Sequence, residues 1–277
     1  MRKIKYLIVS VLVVMMTTLS GCGIIDSGLV KLNFRNNDFE YIKENKVNKI
    51  VIQSSRDSGF KFVVNDSNAI NDIYKILCKG KVKGEKTSLD PDYVFEVYAG
   101  DEVKSYNYVV SVDERGVGNF SDEDTAYLIS KNLDDTILQN LSIIRKPRDF
   151  EDIYYNTILK VLEKDKDELT LNGNTVGVDI LGDVDCLKYM LSVDLKSFEN
   201  KLEEVVPGTK IINKDASKFD TIITVKNRGY NSQIFKTTII LDNKKDKSYE
   251  TYYVQGTYEY KSWQIEVSEA NEKPDTW

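Results

Sequence analysis

Four runs of β-branched and aromatic residues close the chain, and they constrain its fold more than any other feature. They are "TIITVK" from Thr221, "SQIFKTTIIL" from Ser232, "SYETYYVQGTYEY" from Ser248 and "WQIEV" from Trp263. Residues of this kind suit a pleated, half-buried surface, and polar turn residues separate the runs. The pattern predicts an antiparallel meander. Two amphipathic segments precede it, "FEDIYYNTILKVLEKDKDE" from Phe150 and "SVDLKSFENKLEEVV" from Ser192, and both read as helices, the second capped. Between them "ELTL", the Asn172-Gly173 turn signal and "TVGVDI" predict a β-hairpin.

The earlier half mixes the same ingredients. "KIVIQ", "FKFVV", "YVFEVYA", "SYNYVVSV" and "VGNF" read as strands. "AINDIYKILC" has Ile70, Ile73, Tyr74 and Leu77 at helical spacing behind Asp66 or Ser67 as a cap. "SDEDTAYLISKNLDDTIL" is expected to be a helix, because Ser121 with Asp124 resembles a capping box and acids crowd its first turn. The charged "RKPRD" of Arg145–Asp149 breaks the pattern around Pro147 and marks the expected boundary. The fold class is therefore α+β, with two small domains of antiparallel sheet and packed helices over residues 45–145 and 149–270. Residues 22–44 read as a tether and 271–277 as a frayed tail. A helix followed by long strands resembles the cystatin-like and nuclear-transport-factor-like arrangement of a sheet around a helix, which implies a fold and no function.

The first 21 residues have another purpose. Arg2, Lys3 and Lys5 precede the apolar run Tyr6–Met16, and small residues follow. This is the order of a secretory signal peptide, and the run is too short for a transmembrane helix, which needs about 20 apolar residues. Leu19-Ser20-Gly21-Cys22 resembles the lipobox of bacterial lipoproteins. The resemblance implies cleavage between Gly21 and Cys22, with diacylglycerol on the Cys22 sulfur. A dual-chain anchor of that kind holds a protein stably on a membrane. The folded part resembles small lipoproteins of Gram-positive bacteria, and the expected location is the outer face of the cytoplasmic membrane.

Composition removes several function classes. The chain has 38 Lys+Arg and 44 Asp+Glu. Loss of the signal takes away three bases and no acid, leaving 35 against 44 and a net charge of −9. Such a surface does not favour nucleic acid, which needs basic patches. There is no histidine, which excludes Ser-His-Asp and Cys-His catalysis and the usual zinc sites. Cys78 and Cys186 sit in apolar helical contexts and read as buried free thiols.

Two carboxylate pairs, Asp90 with Asp92 and Asp183 with Asp185, have the composition of a glycosidase-like acid pair. Turn chemistry accounts for the same residues, because Asp bonds its own backbone in turns. "DERGVGNFSDED" lacks the ligand spacing of a calcium loop. The remaining cluster is aromatic. Tyr249, Tyr252, Tyr253, Tyr258, Tyr260 and Trp263 form an expected partner or ligand surface, since Tyr and Trp dominate contact hot spots. No cofactor or metal is expected. The expectation is a non-catalytic binding, accessory or sensory lipoprotein that meets a membrane through its anchor and an envelope protein through its fold. A solute- or wall-polysaccharide-binding lipoprotein and a carboxylate-dependent cell-wall hydrolase are the alternatives.

Overall fold

The computed structural model describes residues 35–43, 47–83, 85–135, 146–170, 173–275 and 277. The signal, Gly21, Cys22 and most of the expected tether lie outside the described residues. The fold is α+β, built on two largely antiparallel sheets in two compact units. One unit takes the described residues up to 52, 62–88 and 94–135; the other takes 53–61, 89–93 and 146–277. The single cut expected at 145–149 is thus an interleaved division. Two loops from the first half of the sequence group with the second unit, for a reason given below.

The first unit is organised by a seven-stranded sheet. Its strands are β1 (Val47–Ser54), β2 (Lys61–Val64), β3 (Lys81–Lys83), β4 (Tyr93–Ala99), β5 (Glu102–Val109), β6 (Gly118–Ser121) and β7 (Ala126–Ile129). Their order is β2-β1-β4-β5-β6-β7-β3. Helix α1 (Ser67–Leu77) begins where Asp66 accepts a hydrogen bond from the Ala69 N–H at 2.9 Å, and it buries Ile70, Ile73, Tyr74 and Leu77. The core is aromatic: Phe39, Phe95, Tyr106, Tyr108, Phe120 and Tyr127 form a chain of ring contacts, the closest being Tyr106 stacked on Phe120 at 4.8 Å. Gly118 admits the Tyr108 ring, which a Cβ there would overlap.

Two expectations are corrected in this unit. The end of the tether is not a tether. Phe39 and Ile42 are buried, and the Asn36 amide donates to the carbonyls of Leu77, the last residue of α1, and Gly80. The helix expected from Ser121 begins as a strand. Asp122 Oδ1 accepts the N–H groups of Asp124 and Thr125, so the acidic stretch forms the turn of a hairpin. Ala126–Ile129 then pairs antiparallel with β6, and among the described residues of this stretch only 132–135 are helical. A carboxylate followed by polar residues serves a turn as well as a helix start, and pairing with β6 decided the matter.

The second unit is a six-stranded sheet of order β13-β12-β11-β10-β8-β9. The strands are β8 (Val176–Asp179), β9 (Lys210–Ile211), β10 (Thr221–Tyr230), β11 (Ile234–Asn243), β12 (Tyr249–Glu259) and β13 (Ser262–Val267). β10 to β13 are the expected antiparallel meander. The expected hairpin before it is absent. Lys166–Thr170 is a helix, and β8 pairs in parallel with β10 and β9.

Helix α2 (Phe150–Lys164) is followed by the short helices α3 (Lys166–Thr170) and α4 (Val184–Leu187), then by α5 (Ser192–Val205). α2 packs against β11, β12 and β13. Register puts Ile223, Val225, Phe235, Ile239, Leu241, Tyr252 and Val254 on the sheet face that forms the core with Phe150, Ile153, Tyr154, Ile158 and Phe198. The described residues of the tail are held against the sheet rather than frayed. Asn271 exchanges hydrogen bonds with Thr251, and the Trp277 ring meets the edge of Tyr253 at 5.3 Å.

α5 explains why the two loops join this unit. Its first turn has no local side-chain cap, since Leu191 occupies the capping position. Asp92 does the work from 100 residues away, accepting the Ser192 N–H at 2.8 Å. Arg56 pairs with the same carboxylate at 2.7 Å, and also donates to the Met190 carbonyl and to Ser192 Oγ. Ser192 Oγ donates in turn to the Asp90 carbonyl. An anion at a helix N-terminus is favourable there, because unsatisfied N–H groups point at it.

Asp194, in the same turn, pays for its surroundings. Burial, and after it the nearby Glu151 and Asp92, push its pKa up to about 6, against the opposing pull of Lys146 and Arg56. A raised folded-state pKa means that stability is fully present below pH 3.8 and is lost as pH rises through 6. A shift of this size corresponds to about 3 kcal/mol, and partial exposure reduces it to about 1–2 kcal/mol. Asp194→Asn should therefore raise stability by about 1–2 kcal/mol at pH 7 and change it little at pH 3, as measured by urea unfolding at the two pH values.

Candidate functional site

β10 does not run straight to its end. Its register with β11 shifts between Asn227 and Gly229, and Gly229 adopts φ 115°, a conformation that favours glycine. A bulge re-aims side chains and bends a strand, which is why bulges often stand beside binding sites. Here it opens a shallow depression of about 540 Å³ in the second unit, lined by Asp185, Lys188, Asn227, Arg228, Gly229 and Tyr230. That volume lies in the range of small-molecule and side-chain pockets, about 300–1,000 Å³.

The walls combine both charges with an unsatisfied amide. Asn227 is held on two sides: its N–H donates to Asp183 Oδ1 at 3.1 Å and its Oδ1 accepts the Gly229 N–H at 2.9 Å. Its Nδ2 is buried without a partner, an arrangement costing about 1–3 kcal/mol. The Tyr230 hydroxyl lies 2.9 Å from that of Tyr189.

The groups able to do chemistry stand behind this wall and are already committed. Asp183 is 5% exposed and accepts the Tyr154 hydroxyl at 3.0 Å besides the Asn227 N–H. Burial raises its pKa, and those hydrogen bonds oppose the rise. Burial, then the Asp183 charge, push the Cys186 thiol far up, so it stays protonated and is a poor nucleophile. Cys78 and Cys186 are both buried free thiols. The depression can hold a ligand or a partner's side chain by hydrogen bonds and charge, with the reactive groups kept apart from it.

The residues singled out from sequence are dispersed. Asp92 is buried in its ion pair with Arg56, so the Asp90/Asp92 motif is a structural turn. Of the second pair, Asp183 is internal and Asp185 lines the depression. The six aromatics do not form one surface. Tyr252, Tyr258 and Trp263 share the α2-facing side of the sheet, while Tyr249 and Tyr253 lie on the other. Tyr252 is buried and donates to Glu250. Tyr258 lies under the Arg148 guanidinium and against Trp263, whose Nε1 donates to the Arg148 carbonyl. Tyr253 is covered by Trp277. Only Tyr249 and Tyr260 are well exposed, the latter in the β12–β13 turn at φ 51°. A strand places successive residues on opposite faces, so neighbouring rings could not form a single platform.

Lys188, Asn227, Arg228, Gly229 and Tyr230 were missed. The signal for the last four was the "NRGY" that continues "TIITVK", because glycine inside a strand pattern marks a bulge. Comparison with known proteins gives one family match: the model described as YhfM protein matches residues 43–147, well under half of the chain. No curated protein matches the chain, and no solved structure does. The depression lies beyond the matched segment. Among the described residues, no helix is long and apolar enough to cross a membrane.

Proposed function

We propose that the protein is a lipoprotein, anchored through Cys22 to the outer face of the cytoplasmic membrane, which acts by binding as an accessory or sensory component of the envelope. The observation that carries the binding part is the depression at the β10 bulge. It is large enough for a ligand group, bears Asp185, Lys188, Arg228 and Tyr230, and stands apart from the sequestered Asp183 and Cys186. The hydrolase alternative has less support, because one acid of each carboxylate pair is committed to internal hydrogen bonds. A glycan or solute ligand stays compatible with the depression, and a protein partner suits its mixed charge and openness better.

The anchor is testable by itself. Mass spectrometry of the wild-type protein from membranes should find a chain that begins at Cys22 and carries a diacylglycerol mass. Cys22→Ala should leave the membrane fraction or retain its leader uncleaved. An unmodified wild-type Cys22 would overturn the anchored reading.

A further inference from the structure

The point where the chain enters the first unit is tightly fixed. The Arg35 guanidinium donates to the Tyr74 hydroxyl at 2.8 Å and to Cys78 Sγ at 3.3 Å. The Asn36 N–H donates to the Cys78 carbonyl at 2.8 Å, and its side-chain amide to the carbonyls of Leu77 and Gly80. Residues 35 and 36 are thereby tied to the end of α1 and to the residue before β3. β3 is an outermost strand of the seven-stranded sheet, held by antiparallel pairing with β7. At most about 45 Å of extended chain separates Cys22 from Arg35. An anchor at Cys22 therefore keeps this edge of the unit near the surface that holds the anchor.

That edge is basic in an acidic protein. Lys79, Lys81 and Lys83 are all exposed, and among the described residues none of them has an ion pair. Val82, between two of them on the strand, is 59% exposed. The nearby carboxylates lie toward the Lys83 end, with Glu85 next along the chain and Asp122, Glu123 and Asp124 in the β6–β7 turn. Register places them there, since Lys83 pairs with Ala126 and Lys81 with Leu128. Lys86 is committed to that end, its Nζ donating to the Glu123 carbonyl. Lysines on an edge strand discourage pairing with another sheet, and Lys79 suits the C-terminal end of α1. Neither effect accounts for all three standing together beside the chain's entry.

We infer that Lys79, Lys81, Val82 and Lys83 form a docking surface for anionic phospholipid headgroups, which holds the first unit against the membrane. The inference rests on the anchored reading. The chain is acidic overall, so an anionic surface repels most of the molecule and attracts a local excess of cations. The basic edge supplies that excess within reach of the anchor. Each lysine near such a surface contributes about fivefold to its affinity, and the acyl chains supply the affinity that three lysines lack. The lysine stems lie along the bilayer boundary with Val82 while their ammonium groups stay among the phosphates. The consequence is orientation within this sheet: β3 faces the lipid, and β2, at the opposite edge, faces away.

The test uses the full chain reconstituted into phosphatidylcholine vesicles, with and without phosphatidylglycerol, that carry a headgroup fluorescence quencher. A fluorophore is attached through Val82→Cys on β3 or Val63→Cys on β2, the latter similarly exposed at 52% and roughly 30 Å away across the sheet. Cys78 and Cys186 are buried and escape labelling. Flotation, with mass spectrometry of Cys22, reports the anchor separately. The expected result with phosphatidylglycerol is strong quenching at Val82 and little at Val63. It should vanish in phosphatidylcholine alone and in roughly 0.5 M salt, which screens exposed charges. Lys79→Gln with Lys81→Gln and Lys83→Gln should shift the equilibrium about 100-fold toward the undocked form and remove the quenching, with an unchanged melting curve. A lipidated protein that floats without quenching at Val82 would overturn the docking surface and leave the anchored reading standing. Equal quenching at both positions, or quenching that the three substitutions leave unchanged, would overturn it too. An unmodified Cys22 would remove the anchored reading and the docking surface with it.

Discussion

Arg56→Met should destabilise the second unit by about 3–5 kcal/mol, because it strands the buried charge of Asp92. The carboxylate is 1% exposed and the guanidinium 12%, with 2.7 Å between them. The attraction within such a pair only offsets what desolvation costs, so the pair adds little by itself. Removal of one member is a different matter, since the other cannot return to water without opening the fold. Arg56 also supplies donors to the Met190 carbonyl and Ser192 Oγ, and those acceptors lose them too. Arg56→Met with Asp92→Asn should recover at least half of the loss, because asparagine removes the charge and keeps an oxygen for the Ser192 N–H. Both tryptophans, Trp263 and Trp277, belong to the second unit, so urea unfolding followed by tryptophan fluorescence reports that unit alone. A single-variant loss below about 1 kcal/mol, the scale of an exposed pair, would show that the pair does not hold the two loops.

Phe150→Ala is expected to cost the same unit about 3–5 kcal/mol, the range for a fully buried phenylalanine. Phe150 begins α2 immediately after Asp149, whose φ of 45° turns the chain into the helix. Its ring stacks on Tyr154 at 4.9 Å and meets Tyr189 at 5.3 Å and Tyr155 at 6.3 Å. Tyr155 stacks in turn on Phe198 of α5 at 4.6 Å. Truncation therefore opens a cavity between the start of α2 and Tyr189, just after α4, and these rings, fixed by one another, cannot collapse to fill it. Phe150→Leu should cost much less, about 1–2 kcal/mol, since it keeps most of the volume. Similar losses for Ala and Leu would mean that ring geometry rather than filled volume stabilises the junction.

What was legible in the sequence was local. The Asp66 cap, the apolar stripe of α1 and the alternation of β10–β13 are all written within a few residues of where they act. What was not legible depended on distant partners. α5 was expected to carry its own cap, and Ser192 is instead capped by Asp92. The acidic run after Ser121 suited a helix start, yet strand pairing with β6 outweighed it. β8 was expected in a hairpin, and pairs in parallel with strands 30 or more residues later. The candidate site follows the same rule. Its residues meet because a bulge near the end of β10 faces α4, and a linear search for carboxylate pairs or aromatic clusters had no access to that meeting. The composition argument is unaffected, since the absence of histidine needs no fold.

The central claim is that the anchored protein binds a partner through the depression at the β10 bulge. It is tested most directly by site-specific photo-crosslinking in intact cells, with the crosslinker placed in turn at Lys188, Tyr230 and the exposed Tyr260, in the wild-type background and in Cys22→Ala. The account predicts one discrete crosslinked species from Lys188 and Tyr230, none from Tyr260, and its loss when the anchor is removed. A protein that is anchored and folded yet yields no species from Lys188 and Tyr230, or yields the same one from all three positions, would contradict it.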